Sequence, residues 1–383
     1  MARKIRIGMV GGGRGAFIGG VHRIAAAIDG EIELVGGAFS STPEKSKASG
    51  EDLMLDPARC YGDFKEMIQK EKRRKDRMDA ISIVTPNHMH FAPAKMALEN
   101  GFHVICDKPV TFTLSEARKL KDIVEKTGLT FALTHNYTGY PMIKQARSMI
   151  QAGAIGNIRK VIVEYPQGWL SFPEEQKGTN KQAEWRTDPK RSGIAGAVGD
   201  IGTHAENLAE YVTGLKITEL CADVSTFVEG RLLDDDANVL LHFDNGAKGI
   251  LTCSQIANGE QNGLNIRVYG ELGSLHWHQE TPQYLKHKSI DGQRIFEPSV
   301  GDLYEAAKVS SRIPFGHPEG YLEAFANIYK NFARTVRKRM NGETPNEFDL
   351  DFPTIDDGIR GMQFVETVIA SGKSSSKWVK FKS

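Results

Sequence analysis

Residues 197–212, AVGDIGTHAENLAEYV, set Asp200 and His204 four places apart at what reads as the opening of a helix. Four residues are just over one α-helical turn, so the carboxylate and the imidazole would share a face. Three readings are open at this spacing: an acid/base pair, half of a metal site, or a helix start whose Asp caps the first turn. A second chemical signature lies near the N-terminus. IGMVGGGRGAFIGGVHR, residues 7–23, places glycines between a short apolar run and a helical pattern, with G-x-G-x-x-A at Gly11, Gly13 and Ala16, then Phe17. A loop of that kind lets backbone amides approach a pyrophosphate held at a helix N-terminus. Gly19 would replace Ala16 as the third small residue if the loop is two or three residues longer than usual. The end of the second apolar run, GGAFSSTPEKS, offers Ser40, Ser41, Thr42 and Lys45 but no acid at Ser40. An acid there would bind the adenine ribose hydroxyls of NAD; hydroxyls beside a lysine tilt the choice towards NADP.

The elements that must position these groups follow from periodicity. From residue 4 to about 135 the runs IRIGMV, EIELVGGAF, AISIVTP, HVICDKP and LTFALTH alternate with helical patterns. This predicts a doubly wound parallel sheet with helices on both faces, a Rossmann domain over 1–135. Beyond one further helix, 141–153, the runs RKVIVEYPQGW, ITELCADVSTFV, ANVLLHFDNGAKGILTCSQIA, NIRVYGELGSLHWH and QYLKHKSIDGQRIFEP read as strands. Asp244–Asn245–Gly246 and Asp291–Gly292 are hairpin turn signals. The expected second domain, 136–383, is therefore α+β with a large, mostly antiparallel sheet and helices near 202–213, 318–340 and 354–371.

Bulk composition narrows the function. The chain has 383 residues, 40% of them hydrophobic and 25% charged, as in an ordinary two-domain globular protein. A formal net charge of +1 argues against nucleic acid and anionic membranes as partners. The densest basic run, KEKRRKDR (70–77), is broken by acids and reads as a solvated helix face. No stretch approaches the ~18 apolar residues of a membrane span. The start, MARKIRIGMVGGG, reads as a strand entering glycines, not as a signal peptide. Cys60, Cys106, Cys221 and Cys253 make no CxxC pair, which suits free thiols in a reducing cytoplasm. His88 with His90, and His276 with His278, are the closest histidine pairs, but neither has a third ligand near in sequence, so no metal is expected.

VTPNHMHFAPAKMALENGFHVICDKPV, residues 84–110, carries Thr85-Pro86-Asn87, His90 and Asp107-Lys108-Pro109. With the glycine-rich start and GDIGTH, this order of motifs resembles the glucose–fructose oxidoreductase / inositol dehydrogenase / MocA family over essentially the whole chain. The resemblance implies an NAD(P)-dependent enzyme acting on sugars, cyclitols or related polyols. It puts the cofactor on the N-terminal domain, against Thr85, Asn87, His90, Asp107 and Lys108 in addition to the glycine loop. It maps the family's catalytic lysine onto Lys108 and its Asp and His onto Asp200 and His204. Asp107 departs from the more usual Glu.

Hydride removal from a secondary alcohol requires that the hydroxyl proton leave as well, and imidazole is suited to take it. His204 is the expected base, Asp200 its orienting partner or a substrate contact, and Lys108 the charge that steadies a developing alkoxide. Substrate contacts are expected from Asn136, Tyr137, Gln167, Trp185 and Arg186, since aromatic faces stack on sugar C–H surfaces and amides or guanidinium bond hydroxyls. Two other functions fit the same residues: a redox-neutral epimerase or glycoside-cleaving enzyme with transient oxidation, and a non-catalytic dinucleotide sensor. The apolar residues of VLLHF and GILTCSQIA on the outer sheet face predict a homodimer or homotetramer, unless a helix layer of the same chain covers that face.

Overall fold

The computed structural model describes residues 3–381; Met1, Ala2, Lys382 and Ser383, the ends of the two expected domains, lie outside it. Two compact units are present: residues up to Gly139 together with Tyr321–Ile359, and Tyr140–Gly320 together with the chain from Arg360 onwards.

In the first unit, β1 (Ile5–Gly11), β2 (Ile32–Ala38), β3 (Ala80–Val84), β4 (His103–Cys106) and β5 (Phe131–Leu133) form a parallel sheet in the order β2-β1-β3-β4-β5. This is a Rossmann arrangement. All five residues of β3 are buried, as befits a central strand covered on both faces. Local signals set the helix ends. Leu114–Thr127, for example, starts at a Thr113/Glu116 capping box and stops at Gly128, whose φ of 65° is left-handed.

The chain returns to this unit late. Helix Tyr321–Met340 contributes Phe325, Ile328, Tyr329, Phe332 and Val336 to the core cluster that also holds Ile5, Ile7 and Ala25. Arg334 and Arg337 pin the same helix to Glu31, each at 2.8 Å. A division at 135/136 by chain order leaves out this return, because the apolar stripe of 321–340 was legible while its docking partner was not. KEKRRKDR also differs from expectation. Its helix, Phe64–Glu71, ends near the start of the run, and Glu71 is fully buried, paired with Arg59 at 2.6 Å.

The second unit is built on nine strands among the described residues: β6 (Ile158–Pro166), β7 (Ile217–Ser225), β8 (Asp236–Phe243), β9 (Lys248–Ser254), β10 (Asn265–Gly270), β11 (Ser274–His278), β12 (Leu285–Ser289), β13 (Gly292–Phe296) and β14 (Trp378–Lys380). Their order is β13-β12-β11-β10-β6-β9-β8-β7-β14, and only β6 and β9 run parallel. Gly246 and Gly292 take positive φ, 89° and 122°, in the two expected hairpin turns. Strict alternation puts Val161, Val163 and Tyr165 of β6 on the buried face. On the other face, register aligns Ile162, Ile250, Leu240, Cys221 and Trp378 in one row across five strands. All five are at least partly exposed.

Candidate active site

In the first unit the glycine loop links β1 to helix Phe17–Ile28. Gly11, Gly12 and Gly15 have φ of 83°, 73° and 77°, which only glycine adopts readily. The close helix packing falls on Gly19, not Ala16: a Cβ at Gly19 would lie 2.3 Å from the Gly12 carbonyl oxygen. Ala16 is instead the N-cap residue, and no side chain caps this helix, so its first-turn amides offer the donor set a pyrophosphate takes. The arrangement fits a dinucleotide. Arg23 Nη1 donates to the Gly12 carbonyl at 2.6 Å and fixes the loop from the helix. Phe17 is 69% exposed at the helix start. Ser40 is half-buried after β2, whereas Ser41 and Lys45 are exposed.

Thr85 follows β3 and lies against Gly11, its Cγ2 2.8 Å from where a Cβ would stand. Asn87 opens a short turn and is buried. His90 is fully buried and faces two carbonyls, Nδ1 at 2.7 Å from Pro109 O and Nε2 at 2.7 Å from Thr85 O. It joins the loop after β3 to the loop after β4. Burial lowers its basicity, opposed by Asp107 and the two carbonyls.

Asp107 and Lys108 directly follow β4, and the Lys108–Pro109 peptide bond is cis. One carboxylate oxygen, Asp107 Oδ1, accepts from the Lys108 amide and from Thr134 Oγ1, both at 2.9 Å. Burial alone would raise this carboxyl, but His22, His90 and Lys108 around it hold it well below the usual carboxylate range. Asp107 is therefore a fixed anion next to Lys108. Asn136 and Tyr137 are buried, 2% and 4% exposed, and Tyr137 meets Tyr321 edge-on at 6.4 Å.

In the second unit Asp200 lies in a widened, π-type turn, Val198–Gly202, that runs into helix Thr203–Thr213. Such turns recur at functional sites because they re-aim side chains. Asp200 does not cap the helix. Its Oδ2 accepts from Arg186 Nε at 3.0 Å and Gln255 Nε2 at 2.9 Å. The capping carboxylate is Asp234, which accepts from the Gly196 and Val198 amides at 2.6 and 2.8 Å and so holds the segment bearing Asp200. His204 is buried with its ring 6.3 Å from Tyr165.

Aromatic and amide groups surround this pair. The Arg186 guanidinium lies 4.3 Å from the Trp185 ring and 5.8 Å from the Trp169 ring. Trp169 Nε1 donates to Gln167 Oε1 at 3.0 Å, Gln167 Nε2 to Asn262 Oδ1 at 2.8 Å, and the Tyr165 hydroxyl to the same oxygen at 2.7 Å. Of the expected substrate contacts, Arg186 bonds Asp200 directly, with Trp185 against its guanidinium; Gln167 joins through Trp169. Sequence reasoning missed Asp234, Gln255, Asn262 and Tyr165. A polar residue ending an otherwise apolar strand, as Gln255 follows β9, was the available signal. Among the described residues, no group of three or more His, Cys, Asp or Glu could hold a metal ion. No helix among them is long and apolar enough to cross a membrane.

Comparison with known proteins agrees with this geometry. Residues 5–137 match the oxidoreductase family with an NAD-binding Rossmann fold, and residues 143–276 match the GFO/IDH/MocA C-terminal domain. An oxidoreductase from Sinorhizobium meliloti is 49% identical, with a TM-score of 0.88 over 99% of this chain and 100% of its own. An inositol dehydrogenase homolog from Azotobacter vinelandii, complexed with NAD+, is 37% identical with a TM-score of 0.94 over 100% of this chain and 98% of its own. Its structure with NADH and myo-inositol gives 36% and 0.91, with the same coverage. The uncharacterized oxidoreductase YfiI of Bacillus subtilis is 36% identical over 389 residues, 100% of this chain and 98% of its own. Fold and site thus define an NAD-binding oxidoreductase. The chain belongs to the Gfo/Idh/MocA family.

Proposed function

We propose that the protein is a dehydrogenase that oxidises a secondary hydroxyl of a sugar, sugar derivative or cyclitol. The observation that carries this reading is the setting of Asp200 and His204 among Arg186, Gln255, Gln167, Tyr165 and two tryptophans. Amide, guanidinium and phenol groups bond hydroxyls, and the indole faces stack on C–H surfaces. The structure of the Azotobacter homolog with NADH and myo-inositol supports the same substrate class.

The roles follow from chemistry. His204 accepts the hydroxyl proton, and Asp200, its charge offset by Arg186, orients the polyol. The Lys108 ammonium stabilises the alkoxide. The dinucleotide, held by the loop of Gly11, Gly13 and Gly19 and the amides after Ala16, supplies the hydride acceptor. Ser40, Ser41 and Lys45 also suit a 2′-phosphate, so NADP is a candidate beside NAD. The four free cysteines, three of them buried, suit a reducing cytoplasm. The half-exposed row from Ile162 to Trp378 is proposed as the face through which copies associate into a dimer or tetramer.

The test is a panel of monosaccharides, glycosides and inositols with NAD and NADP, followed by absorbance of the reduced nucleotide. A response to one polyol class fixes substrate and cofactor together. Silence with nucleotide retained through purification replaces hydride export by the redox-neutral reading. Silence without nucleotide binding at millimolar concentration removes the dehydrogenase reading altogether.

A further inference from the structure

A buried polar chain runs behind Lys108, through residues that none of the roles above uses. Ser82 Oγ of β3 lies 2.9 Å from the Tyr329 hydroxyl, which lies 2.7 Å from His22 Nδ1. The other ring nitrogen, His22 Nε2, stands 3.8 Å from Asp107 Oδ1 and has no hydrogen-bond partner. Ser82 and His22 are fully buried, and Tyr329 is 1% exposed. Phe325 and Tyr329 hold the His22 ring edge-on, at 4.7 and 5.8 Å between centroids.

The tautomer that turns an N–H on Nε2 towards the acceptor Asp107 is the one assigned here to His22. Nδ1 is then bare and accepts from the Tyr329 O–H, which in turn accepts from the Ser82 O–H. A packing role alone would be served by an apolar ring with no desolvation cost. Asp107 Oδ1 is the same oxygen that binds the Lys108 amide and Thr134. His22 Nε2 faces the same atom from 3.8 Å, beyond hydrogen-bond distance, so it bears on Asp107 through its polarity and the space it fills. Other titratable groups near Asp107 are His90, His135, Cys106, Lys108 and Tyr329.

We propose that His22, held in one tautomer by Tyr329 and Ser82, is a positioning residue that fixes Asp107 and thereby Lys108. The inference rests on the reading of Lys108 as the alkoxide-stabilising group. Without His22, the Asp107 carboxylate acts more strongly on the neighbouring Lys108 ammonium and makes that amine a poorer nucleophile.

The experiment uses the full-length protein and N-hydroxysuccinimide acetate as probe. The acylation rate of Lys108 is measured by peptide mass spectrometry against exposed Lys45 as internal reference. His22→Phe is expected to lower the Lys108/Lys45 ratio about tenfold, as one unit of raised proton affinity would. His22→Gln, which restores an N–H at the Nε2 position, returns the ratio towards wild type, and NADH affinity by fluorescence titration stays unchanged. Where His22→Phe does not fold, Tyr329→Phe is read in its place, with a smaller fall expected. An unchanged or higher ratio in a folded variant, or no recovery with His22→Gln, overturns the proposal. Should Lys108→Ala retain full turnover on the polyol that responds in the panel, the catalytic reading of Lys108 falls while the acylation result still stands.

Discussion

Lys108 adjoins a carboxylate that His22, His90 and Lys108 itself keep ionised against the effect of burial, which makes it the residue whose removal is most diagnostic. Lys108→Ala is expected to lower turnover roughly 10²-fold or more, the usual cost of losing an aimed electrostatic group. Nucleotide affinity should hold, because the proposed phosphate site is the glycine loop; an equal loss in NADH titration would contradict this division of labour. On the other unit, Asp200 shares Oδ2 between Arg186 and Gln255. Gln255→Leu removes one donor and leaves the ion pair. The expected outcome is a higher KM for the polyol with kcat little changed, and steady-state kinetics on the responding substrate decide it.

At the scale of elements, the loop-to-helix contact at Gly19 is the tightest constraint on the nucleotide cradle. Gly19→Ala forces a methyl into Gly12 and should cost roughly 1–3 kcal/mol of stability by overpacking, together with weaker NADH binding. Thermal unfolding and titration of the same sample test both effects. A second device ties β4 to the residue before β5: the Thr130 amide donates to His103 Nδ1 at 2.9 Å. That bond needs a neutral ring, and burial lowers His103 from 6.5 to about 4. Its folded pKa is thus depressed, so its contribution is full above pH 6.5 and is lost as pH falls through 4. The loss is up to roughly 3 kcal/mol. His103→Asn keeps an acceptor without a titrating ring. Its denaturant midpoint should fall less than wild type between pH 7 and 4.

These elements explain what the sequence disclosed. Alternation of strands and helices announced the parallel sheet because period 2 and period 3.6 are local properties. Hairpins at Gly246 and Gly292 were legible for the same reason, since glycine at a turn needs no partner. Lys108, Asp200, His204 and Arg186 stood out by type and motif. Gly19 was only an alternative to Ala16, since loop length is settled by how closely helix and strand pack. Asp234, Gln255 and His22 were hidden. Their partners lie 38, 55 and 307 positions away in sequence, and only the fold brings them within a bond's length.

At the scale of the whole molecule, the half-exposed apolar row of the second unit's sheet is the face proposed for association. Leu240 is 48% exposed in the middle of the apolar row, with Ile250 beside it in register. Leu240→Glu puts a charge there and, if copies associate through this face as proposed, should give a smaller species than the unchanged chain while the fold persists. Light scattering after size exclusion reports the mass; an unchanged mass would exclude this face. Order of synthesis matters as well. β1 to β5 leave the ribosome long before Tyr321, so Ile5, Ile7 and Ala25 wait for Phe325, Ile328 and Phe332 while some 180 residues of the second unit are made between them. A chain cut before residue 321 would carry every motif that announces a dinucleotide site, together with the strands that bear it. It would still lack Tyr329 and the wall on which that site is built, so the nucleotide-binding unit is first to be translated and among the last to be finished.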